Sequence, residues 1–380
     1  MNAVERKRAI AVRTEAQSAA YEVEVGVGLL ANVGDHVRGA VGQRARRAFV
    51  VSNRRVWTLY GLQVAEGLQR CGFDVVHWLM GEGERHKNLR TVGKALERLT
   101  EARFERNDVV VALGGGVIGD LAGFVAAIYL RGLALVQVPT TLLAQIDASV
   151  GGKTGVNMRA GKNLVGAFHQ PRAVIVDVET LKSLPRRELT AGWCEAIKHG
   201  AVGSRALFEA TRDRLATGKP LDDSKALADL IAAHCAFKAE IVSGDEREEM
   251  TRTDRRSRRI LNFGHTVGHA LEAATGYRRL RHGEAVGYGM MAAGEISSRL
   301  GLLARAELEE LCAAIGLAGR LPKLTSLDLD AVLAALRLDK KSLGGELHWV
   351  LLEGIGCARV VPEREVEPSA VRAALRSILG

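Results

Sequence analysis

The first half of the chain alternates short apolar, β-branched runs with stretches whose apolar residues recur at helical spacing. The runs at residues 47–52, 73–78, 108–113, 133–138 and 173–178 predict strands. Residues 89–103 are typical of the amphipathic helices that lie between them. This strand–helix–strand order predicts a mostly parallel sheet with helices on both faces.

After Pro185 the periodicity becomes almost entirely helical. It predicts helices over residues 188–202, 221–242, 261–275, 284–300, 305–315, 328–338 and 368–379. A hairpin of residues 347–352 with 358–361 is the expected exception. We therefore predict an α/β, Rossmann-like nucleotide-binding domain over residues 1–184, followed by a mainly α-helical metal- and substrate-binding domain over 185–380. A ligand cleft is expected between them, since ligand sites favour domain interfaces.

Length and composition fit this picture of an ordinary globular protein. The 380 residues are enough for two domains, and 47% apolar with 26% charged residues is an average balance. The charged N-terminus has no apolar core, so we do not expect a secretory signal. Asp120 and Arg131 interrupt the apolar stretch 109–138, which favours a buried β-α-β unit over a membrane span. Five scattered cysteines without a CxxC pair favour the reducing cytoplasm.

The net charge of +9 does not by itself identify a partner. A basic excess can indicate nucleic acid, but aromatic residues are only 4% of the chain and no nucleic-acid-binding signature is present. An anionic small molecule would require only a few local cations, and the remaining charge would then lie on a solvated surface. We expect no nucleic-acid partner.

A glycine-rich turn follows the third predicted strand. Gly114-Gly115-Gly116-Val117-Ile118-Gly119 satisfies G-x-G-x-x-G between a strand and a helix, where glycines allow a phosphate to approach backbone amides. The pattern differs from the usual dinucleotide fingerprint because it is not on the first strand and no acid follows at a strand end about 20 residues later. A simple tight turn is the alternative. We predict a non-standard dinucleotide site, with Asp120 as a hydrogen-bonding candidate.

Three histidines and one glutamate suggest a metal centre in the helical half. His265 and His269 are four residues apart, and therefore lie on one helix face, and His282 begins the next predicted helix. The glutamate of H-E-x-x-H is absent, which excludes the zincin pattern. Two imidazoles with a carboxylate such as Glu195 form a common catalytic divalent-metal set. The spacing leaves open which two histidines bind the ion.

Several basic residues adjoin glycines or polar residues and are candidates for binding a phosphorylated acid. They are Lys153, Lys162, Lys198, Lys238, Arg131 and the Lys340–Lys341 pair. For any one of them, a solvated surface position is the simpler interpretation. Asp147 and Asn163 are polar residues in the otherwise apolar region 142–168, and they could bind the hydroxyls of a polyol.

Six collinear blocks resemble the 3-dehydroquinate synthases within the sugar-phosphate cyclases, and the resemblance extends from about Val50 to Gly356. The blocks are GGGVIGDLAGFVAAIYLRG, VPTTLLAQIDASVGGKTGVN, GKNLVGAFHQP, LPRRELTAGWCEAIKHG, LNFGHTVGHALE and HGEAVGYGM. The resemblance implies conversion of 3-deoxy-D-arabino-heptulosonate 7-phosphate to 3-dehydroquinate and phosphate in the shikimate pathway. It also implies catalytic NAD, one zinc or cobalt ion, and a homodimer.

The same resemblance assigns roles to individual residues. The metal ligands would be Glu195, His265 and His282, which leaves His269 for the substrate. The other substrate contacts would be Asp147, Lys153, Asn163, Lys198, Lys238, Arg258, Asn262, one of Lys340 and Lys341, and Arg131 reaching the phosphate from a partner subunit. The NAD contacts would be Glu84, Lys87, Gly115, Gly116, Asp120, Thr140, Thr141, Lys162 and Thr180.

Two departures from the family pattern qualify these assignments. Asn53 stands where the family often has an aspartate near the adenosine ribose. NAD therefore remains the expected cofactor, but NADP is excluded less strongly than an aspartate would exclude it. About six extra residues, with arginines at 247, 252, 255 and 256, precede Arg258, whose role depends on that alignment. The competing hypotheses are a cyclase making a valiolone, an inosose or an amino-dehydroquinate, a metal-dependent polyol dehydrogenase, and a non-catalytic binding protein.

Overall fold

The first half of the chain forms a parallel sheet and a separate hairpin. The computed structural model describes residues 20–159, 161–249, 251–325, 327–342 and 348–379, without the side chains of 338–342. The strands are β1 Glu22–Gly26, β2 Arg47–Asn53, β3 Asp74–Met80, β4 Val109–Gly114, β5 Ala134–Pro139, β6 Lys153–Met158, β7 Gly161–Phe168 and β8 Ala173–Asp177. The six-stranded sheet has the order β1-β8-β5-β4-β2-β3 and parallel pairing throughout, while β6 and β7 form an antiparallel pair.

Helices cover both faces of this sheet, as the sequence predicts. They are α1 Val33–Val41, α2 Arg54–Val56, α3 Leu62–Arg70, α4 Leu89–Glu101 and α5 Gly116–Ile128. Along β4, Val109 and Val111 belong to one apolar cluster while Val110 and Ala112 belong to another on the opposite face. A strand buried on both faces therefore reads as a continuous apolar run. The five predicted strands and the fold class are confirmed.

The strand order places a crevice at the end of β4. The chain passes from β2 outward to β3 and then returns to β4 on the other side of β2. Ligands of open parallel sheets bind where the order reverses in this way, beyond the carboxyl ends of the strands. The glycine turn and the start of α5 lie at this point.

The second half is helical except for one hairpin. Its elements are α6 Arg186–Gly203, α7 Arg205–Ala216, α8 Ser224–Gly244, α9 His265–Ala274, α10 His282–Arg299, α11 Arg305–Ala318, α12 Leu329–Ser342, β9 His348–Gly354, β10 Cys357–Pro362 and α13 Pro368–Leu379. The predicted helices and hairpin are present, and α7 is an addition. The helix predicted from residue 261 begins instead at His265, because Gly264 has a left-handed φ of 77°.

An apolar core joins the two halves. Val174 and Val176 of β8 belong to the same buried cluster as Trp193 and Ile197 of α6. Since α6 follows the sheet directly, its buried face brings Glu195 and Lys198 toward the sheet edge. No helix in the described ranges has the length and apolar character needed to cross a bilayer.

Candidate active site

The glycine corner between β4 and α5 is packed too closely to accept any side chain at Gly114 or Gly115. Gly114 has φ +156°, and a Cβ at Gly115 would lie 2.9 Å from the Thr141 methyl carbon. The Thr140 amide donates a 3.0 Å hydrogen bond to the Gly114 carbonyl, which fixes the two segments together. The free amides at the start of α5 then face the crevice, where the helix dipole favours an anion such as a diphosphate.

Lys87 connects the predicted cofactor residues to the hairpin. Its buried Nζ donates to Asp120 Oδ2 at 2.5 Å and to Asn163 Oδ1 at 2.6 Å. Burial raises the pKa of Asp120 even though the Lys87 ammonium opposes this shift. Glu84 Oε1 accepts a 2.7 Å bond from Asn157 Nδ2 of β6. Three of the residues predicted to contact NAD therefore gather with Asn163 beside the glycine corner.

The Thr180 side chain has its hydrogen bonds satisfied inside the protein. Its hydroxyl donates to the Asp177 carbonyl at 2.8 Å and accepts from Gln145 Nε2 at 3.0 Å. The residue is 1% exposed. Its predicted contact with NAD stays a prediction, and in the structure its hydroxyl joins Gln145 to the Asp177 carbonyl at the end of β8.

A buried chain of alternating charges crosses from the metal candidates toward the sheet. Lys198 is 1% exposed, and its Nζ lies 2.6 Å from Glu195 Oε2 and 3.3 Å from Asp147 Oδ2. Lys238 donates to the other Asp147 oxygen. Burial would raise the pKa of Asp147, but the two ammonium groups hold it well below its usual range. Burial also lowers the pKa of Lys238 to about 8, against the attraction of Asp147.

The predicted metal ligands converge from three helices. Glu195 Oε1 of α6 lies 4.0 Å from His265 Nε2 of α9 and 3.5 Å from His282 Nε2 of α10. Ligand atoms around a tetrahedral zinc ion are about 3.4 Å apart. His265, His269 and His282 also offer nitrogens within 4.8 Å of one another. The geometry fits an ion held by Glu195, His265 and His282, with His269 adjoining it, and that choice among the histidines stays a prediction.

The pKa shifts of two of these histidines favour the neutral form that binds a metal. Burial, together with Lys198 and the neighbouring histidines, lowers the pKa of His265 well below its usual value. Burial and His282 lower the pKa of His269 to about 4. Both imidazoles are therefore neutral near pH 7, as metal ligands must be. Burial would also lower the pKa of His282, but the hydrogen bond and negative charge of Glu272 raise it. Glu195 is fully buried, and its Oε1 receives no hydrogen bond from the described residues. A bound cation would supply the partner that a buried carboxylate oxygen needs.

Two glycines allow the three helices to approach closely enough. A Cβ at Gly289 of α10 would lie 1.8 Å from the Gly264 carbonyl oxygen at the start of α9. A Cβ at Gly283, next to His282, would lie 2.0 Å from the Ala191 carbonyl oxygen of α6. Backbone atoms cannot yield as a flexible side chain can. These contacts therefore fix the distances between His265, His282 and Glu195.

We expect Gly283→Ala to destabilise the protein by about 1–3 kcal/mol and to weaken metal binding, because the methyl group must push α10 away from α6. Urea unfolding and chelator competition would measure the two effects. Gly316→Ala in α11 is the matched control, since a Cβ there meets no atom within 4 Å, and it should be neutral or stabilising. Unchanged metal affinity in Gly283→Ala would contradict the importance of this contact.

A second group of polar residues lies at the entrance to the predicted substrate region. Lys153 Nζ donates to Glu248 Oε2, and Asn262 Nδ2 donates to Glu248 Oε1 at 2.8 Å. Glu248 was missed by the sequence reasoning, which singled out the arginines of its segment. The carboxylate at 248 thus joins two predicted substrate residues from different halves of the chain.

The remaining predicted substrate residues are placed as follows. Arg258 is 2% exposed and donates to the Gly151 carbonyl at 3.1 Å and to the Glu246 carbonyl at 2.6 Å. It therefore fixes the loop that precedes Lys153. Arg131 is exposed in the turn Tyr129–Arg131, and its contact with a substrate stays a prediction. The side chains of Lys340 and Lys341 lie outside the described residues.

Lys162 of β7 extends to the metal region and bonds there to Glu272. Its Nζ lies 2.8 Å from Glu272 Oε1, and Glu272 Oε2 lies 3.1 Å from His282 Nδ1. Sequence reasoning missed Glu272 as well. The available signal was its position in HALE, one turn after His269 on the same helix.

Family models match both halves of the chain. The model described as 3-dehydroquinate synthase N-terminal matches residues 77–191, and the model described as 3-dehydroquinate synthase C-terminal matches residues 192–342. The chain belongs to the 3-dehydroquinate synthase family. A 3-dehydroquinate synthase from Symbiobacterium thermophilum is 45% identical to it over 363 residues, which are 94% of this chain and 98% of the relative.

Solved structures of sugar-phosphate cyclases have the same fold as this family member. A 2-epi-5-epi-valiolone synthase from Streptomyces hygroscopicus subsp. jinggangensis, with NAD+ and Zn2+ bound, has a TM-score of 0.85 at 29% identity, covering 98% of this chain and 99% of that chain. A 2-deoxy-scyllo-inosose synthase complexed with carbaglucose-6-phosphate, NAD+ and Co2+ has a TM-score of 0.80 at 27% identity, covering 94% and 96%.

Proposed function

We propose that this protein converts 3-deoxy-D-arabino-heptulosonate 7-phosphate to 3-dehydroquinate and inorganic phosphate, using NAD and one divalent zinc or cobalt ion. The observation that carries this proposal is the convergence of Glu195, His265 and His282 within ion-sharing distance. They lie in a buried site that also contains phosphate-binding candidates and a glycine corner. A structure of a related cyclase, 29% identical, contains NAD+ and Zn2+, which supports the same pair of cofactors here.

The chain's own residues would mainly bind, orient and neutralise charge. When bound, NAD supplies a reversible hydride acceptor and the divalent ion a Lewis acid. Lys153 and Asn262 would exchange the Glu248 carboxylate for the substrate phosphate, since both already donate to an anionic oxygen. Asp147, Lys198 and Lys238 would bind hydroxyl and carboxylate groups of the substrate, in a site from which bulk water is largely excluded.

The degree of identity favours dehydroquinate over the products of related cyclases. The chain is 45% identical to a 3-dehydroquinate synthase, against 29% for the valiolone synthase and 27% for the inosose synthase. Asp147, Asn163, Arg258, Asn262 and His269 are also present together, as the family pattern requires. A polyol dehydrogenase would not need the buried lysines, and a non-catalytic binding protein would not need three converging metal ligands.

We expect the purified protein to release inorganic phosphate from the heptulosonate 7-phosphate with no net accumulation of NADH. The reaction is redox-neutral, because the hydride taken up early must be returned before the ring closes. A coupled phosphate assay with simultaneous absorbance of NADH measures both quantities, with and without NAD and with a chelator.

The same assay separates the competing hypotheses. Steady formation of NADH without phosphate release would indicate a polyol dehydrogenase instead. Faster phosphate release from the sugar phosphate used by a valiolone synthase or by an inosose synthase would indicate that enzyme instead. No turnover of any of these substrates would contradict the proposal.

We also propose that the enzyme is a cytoplasmic homodimer. Exposed apolar side chains occur at the end of α5, in the following turn and on the hairpin β6–β7: Ile128, Leu130, Met158, Leu164 and Phe168. Arg131 lies in the same turn, which supports its predicted reach into a partner's site. Free cysteines throughout the described residues support a reducing compartment.

We expect Leu164→Glu to shift the dimer toward monomer, because it places a charge on an apolar contact surface. Sedimentation velocity would measure the shift, with Leu317→Glu, on the distant exposed face of α11, as the control. A wild-type protein that is monomeric at micromolar concentration would contradict the dimer proposal.

A further inference from the structure

Glu272 of α9 is a buried carboxylate that bridges the two halves of the site. It is 2% exposed, accepts from Lys162 Nζ at 2.8 Å through Oε1, and pairs with His282 Nδ1 at 3.1 Å through Oε2. Lys162 comes from the hairpin of the nucleotide-binding half, while His282 comes from α10. No other described carboxylate contacts both a predicted NAD residue and a predicted metal ligand.

The contact with His282 determines which nitrogen of that imidazole is free to bind a metal ion. A carboxylate that accepts from Nδ1–H leaves the lone pair on Nε2, and this nitrogen lies 3.5 Å from Glu195 Oε1. Glu272 therefore lies on the side of His282 opposite to Glu195, where its carboxylate accepts from both His282 and Lys162.

The contact with Lys162 ties the same carboxylate to the hairpin. Lys162 lies next to Asn163, which accepts a hydrogen bond from the buried Lys87, the partner of Asp120. Lys162 Nζ also lies 4.9 Å from the centre of the Tyr277 ring, just beyond the end of α9. If NAD binding moves the hairpin, the contact with Lys162 will therefore move Glu272 and, through it, His282.

We propose that Glu272 is a positioning residue that orients His282 for the metal and, through Lys162, couples metal binding to NAD binding. The inference rests on the proposed function, because it assumes that His282 is a metal ligand. Such coupling is reciprocal: if NAD tightens the metal, the metal must tighten NAD by the same factor.

Replacing the carboxylate by an amide tests both contacts at once. Both partners of Glu272 are donors, Lys162 Nζ and His282 Nδ1–H. A glutamine offers one acceptor oxygen and one donor NH2 group, and it can therefore satisfy only one of them. Loss of a hydrogen-bonding partner behind a metal-bound histidine typically costs about 10–100-fold in metal affinity.

The experiment measures Co2+ affinity of the full-length chain by chelator competition, with and without saturating NAD. Glu272→Gln should bind Co2+ about 10–100-fold more weakly than wild type, with a changed visible absorption spectrum of the bound cobalt. The ratio of affinities with and without NAD should fall toward one in Glu272→Gln and in Lys162→Met. Lys162→Met alone should leave the cobalt spectrum close to that of wild type, because His282 keeps its partner.

Glu295→Gln is the matched control, since Glu295 is a half-buried carboxylate on the same helix as His282 but pairs with Arg299 and Arg305. It should bind Co2+ with wild-type affinity. Wild-type affinity and spectrum in Glu272→Gln would overturn the inference while leaving the metal centre intact. A wild-type chain that binds no metal would overturn the proposed function, and the inference with it.

Discussion

His265→Ala should lose its stoichiometric metal ion and at least about a thousandfold in turnover. His265 is one of the predicted ligands and its neutral imidazole faces Glu195 Oε1 at 4.0 Å. The alanine leaves the ion with two protein ligands, and the lost Lewis acid is worth several kcal/mol, which is a factor of this size. Metal analysis and the phosphate-release assay would measure the two losses.

The appropriate control is His36→Ala, because His36 lies on α1, far along the chain from the site, and pairs with Glu24. It should retain both metal and activity. Chelator treatment of wild type should reproduce the loss of turnover in His265→Ala, and added zinc or cobalt should restore only the wild type. Full activity in a His265→Ala protein that contains no metal would refute the assignment.

Lys198→Met should be the most destabilising single change in the site, at about 3–5 kcal/mol in the metal-free protein. Lys198 is 1% exposed and lies between two carboxylates, Glu195 and Asp147. Without it, Asp147 keeps Lys238, but no lysine or arginine among the described side chains pairs with the fully buried Glu195. An uncompensated buried charge accounts for the size of the effect.

Urea unfolding of metal-free and metal-loaded protein would test this explanation. A bound divalent ion neutralises Glu195, so the destabilisation should be smaller when metal is present. Lys182→Met is the control, because Lys182 is exposed and pairs with Glu179 three residues away, an arrangement worth about 0.5 kcal/mol or less. Equal effects of the two substitutions would contradict the buried charge chain.

The elements that the sequence predicted well are those whose burial is uniform. β4 is buried on both faces and reads as an unbroken apolar run, β5 is interrupted only by the buried Gln137, and α4 has a clear apolar face. β1 was missed because Glu22 and Glu24 alternate with valines in a half-exposed edge strand. The hairpin β6–β7 was missed because its glycines and polar residues resemble a loop.

The site was predictable in its chemistry but not in its geometry. The spacing of His265, His269 and His282 predicted a metal centre, yet the choice among them depends on how α9 and α10 cross. That crossing is fixed by close backbone approach at Gly264 and Gly289, which no periodicity reveals. Glu248 and Glu272 were missed for a related reason. The residues that pair with these carboxylates lie ten or more residues away in the chain or on a different helix, so no local pattern reveals them.

The hairpin β6–β7 carries Lys153, Lys162 and Asn163 but pairs with no strand of the main sheet. A lone two-stranded ribbon has little intrinsic stability in water, so its order depends on what its side chains grip. Val156 supplies the apolar part of that contact, since it is fully buried in the core beneath α5, and Glu248, Glu272 and Lys87 supply the polar part. A substrate phosphate that takes the place of Glu248 at Lys153 would therefore exchange one of the contacts that hold this ribbon for a contact with the ligand.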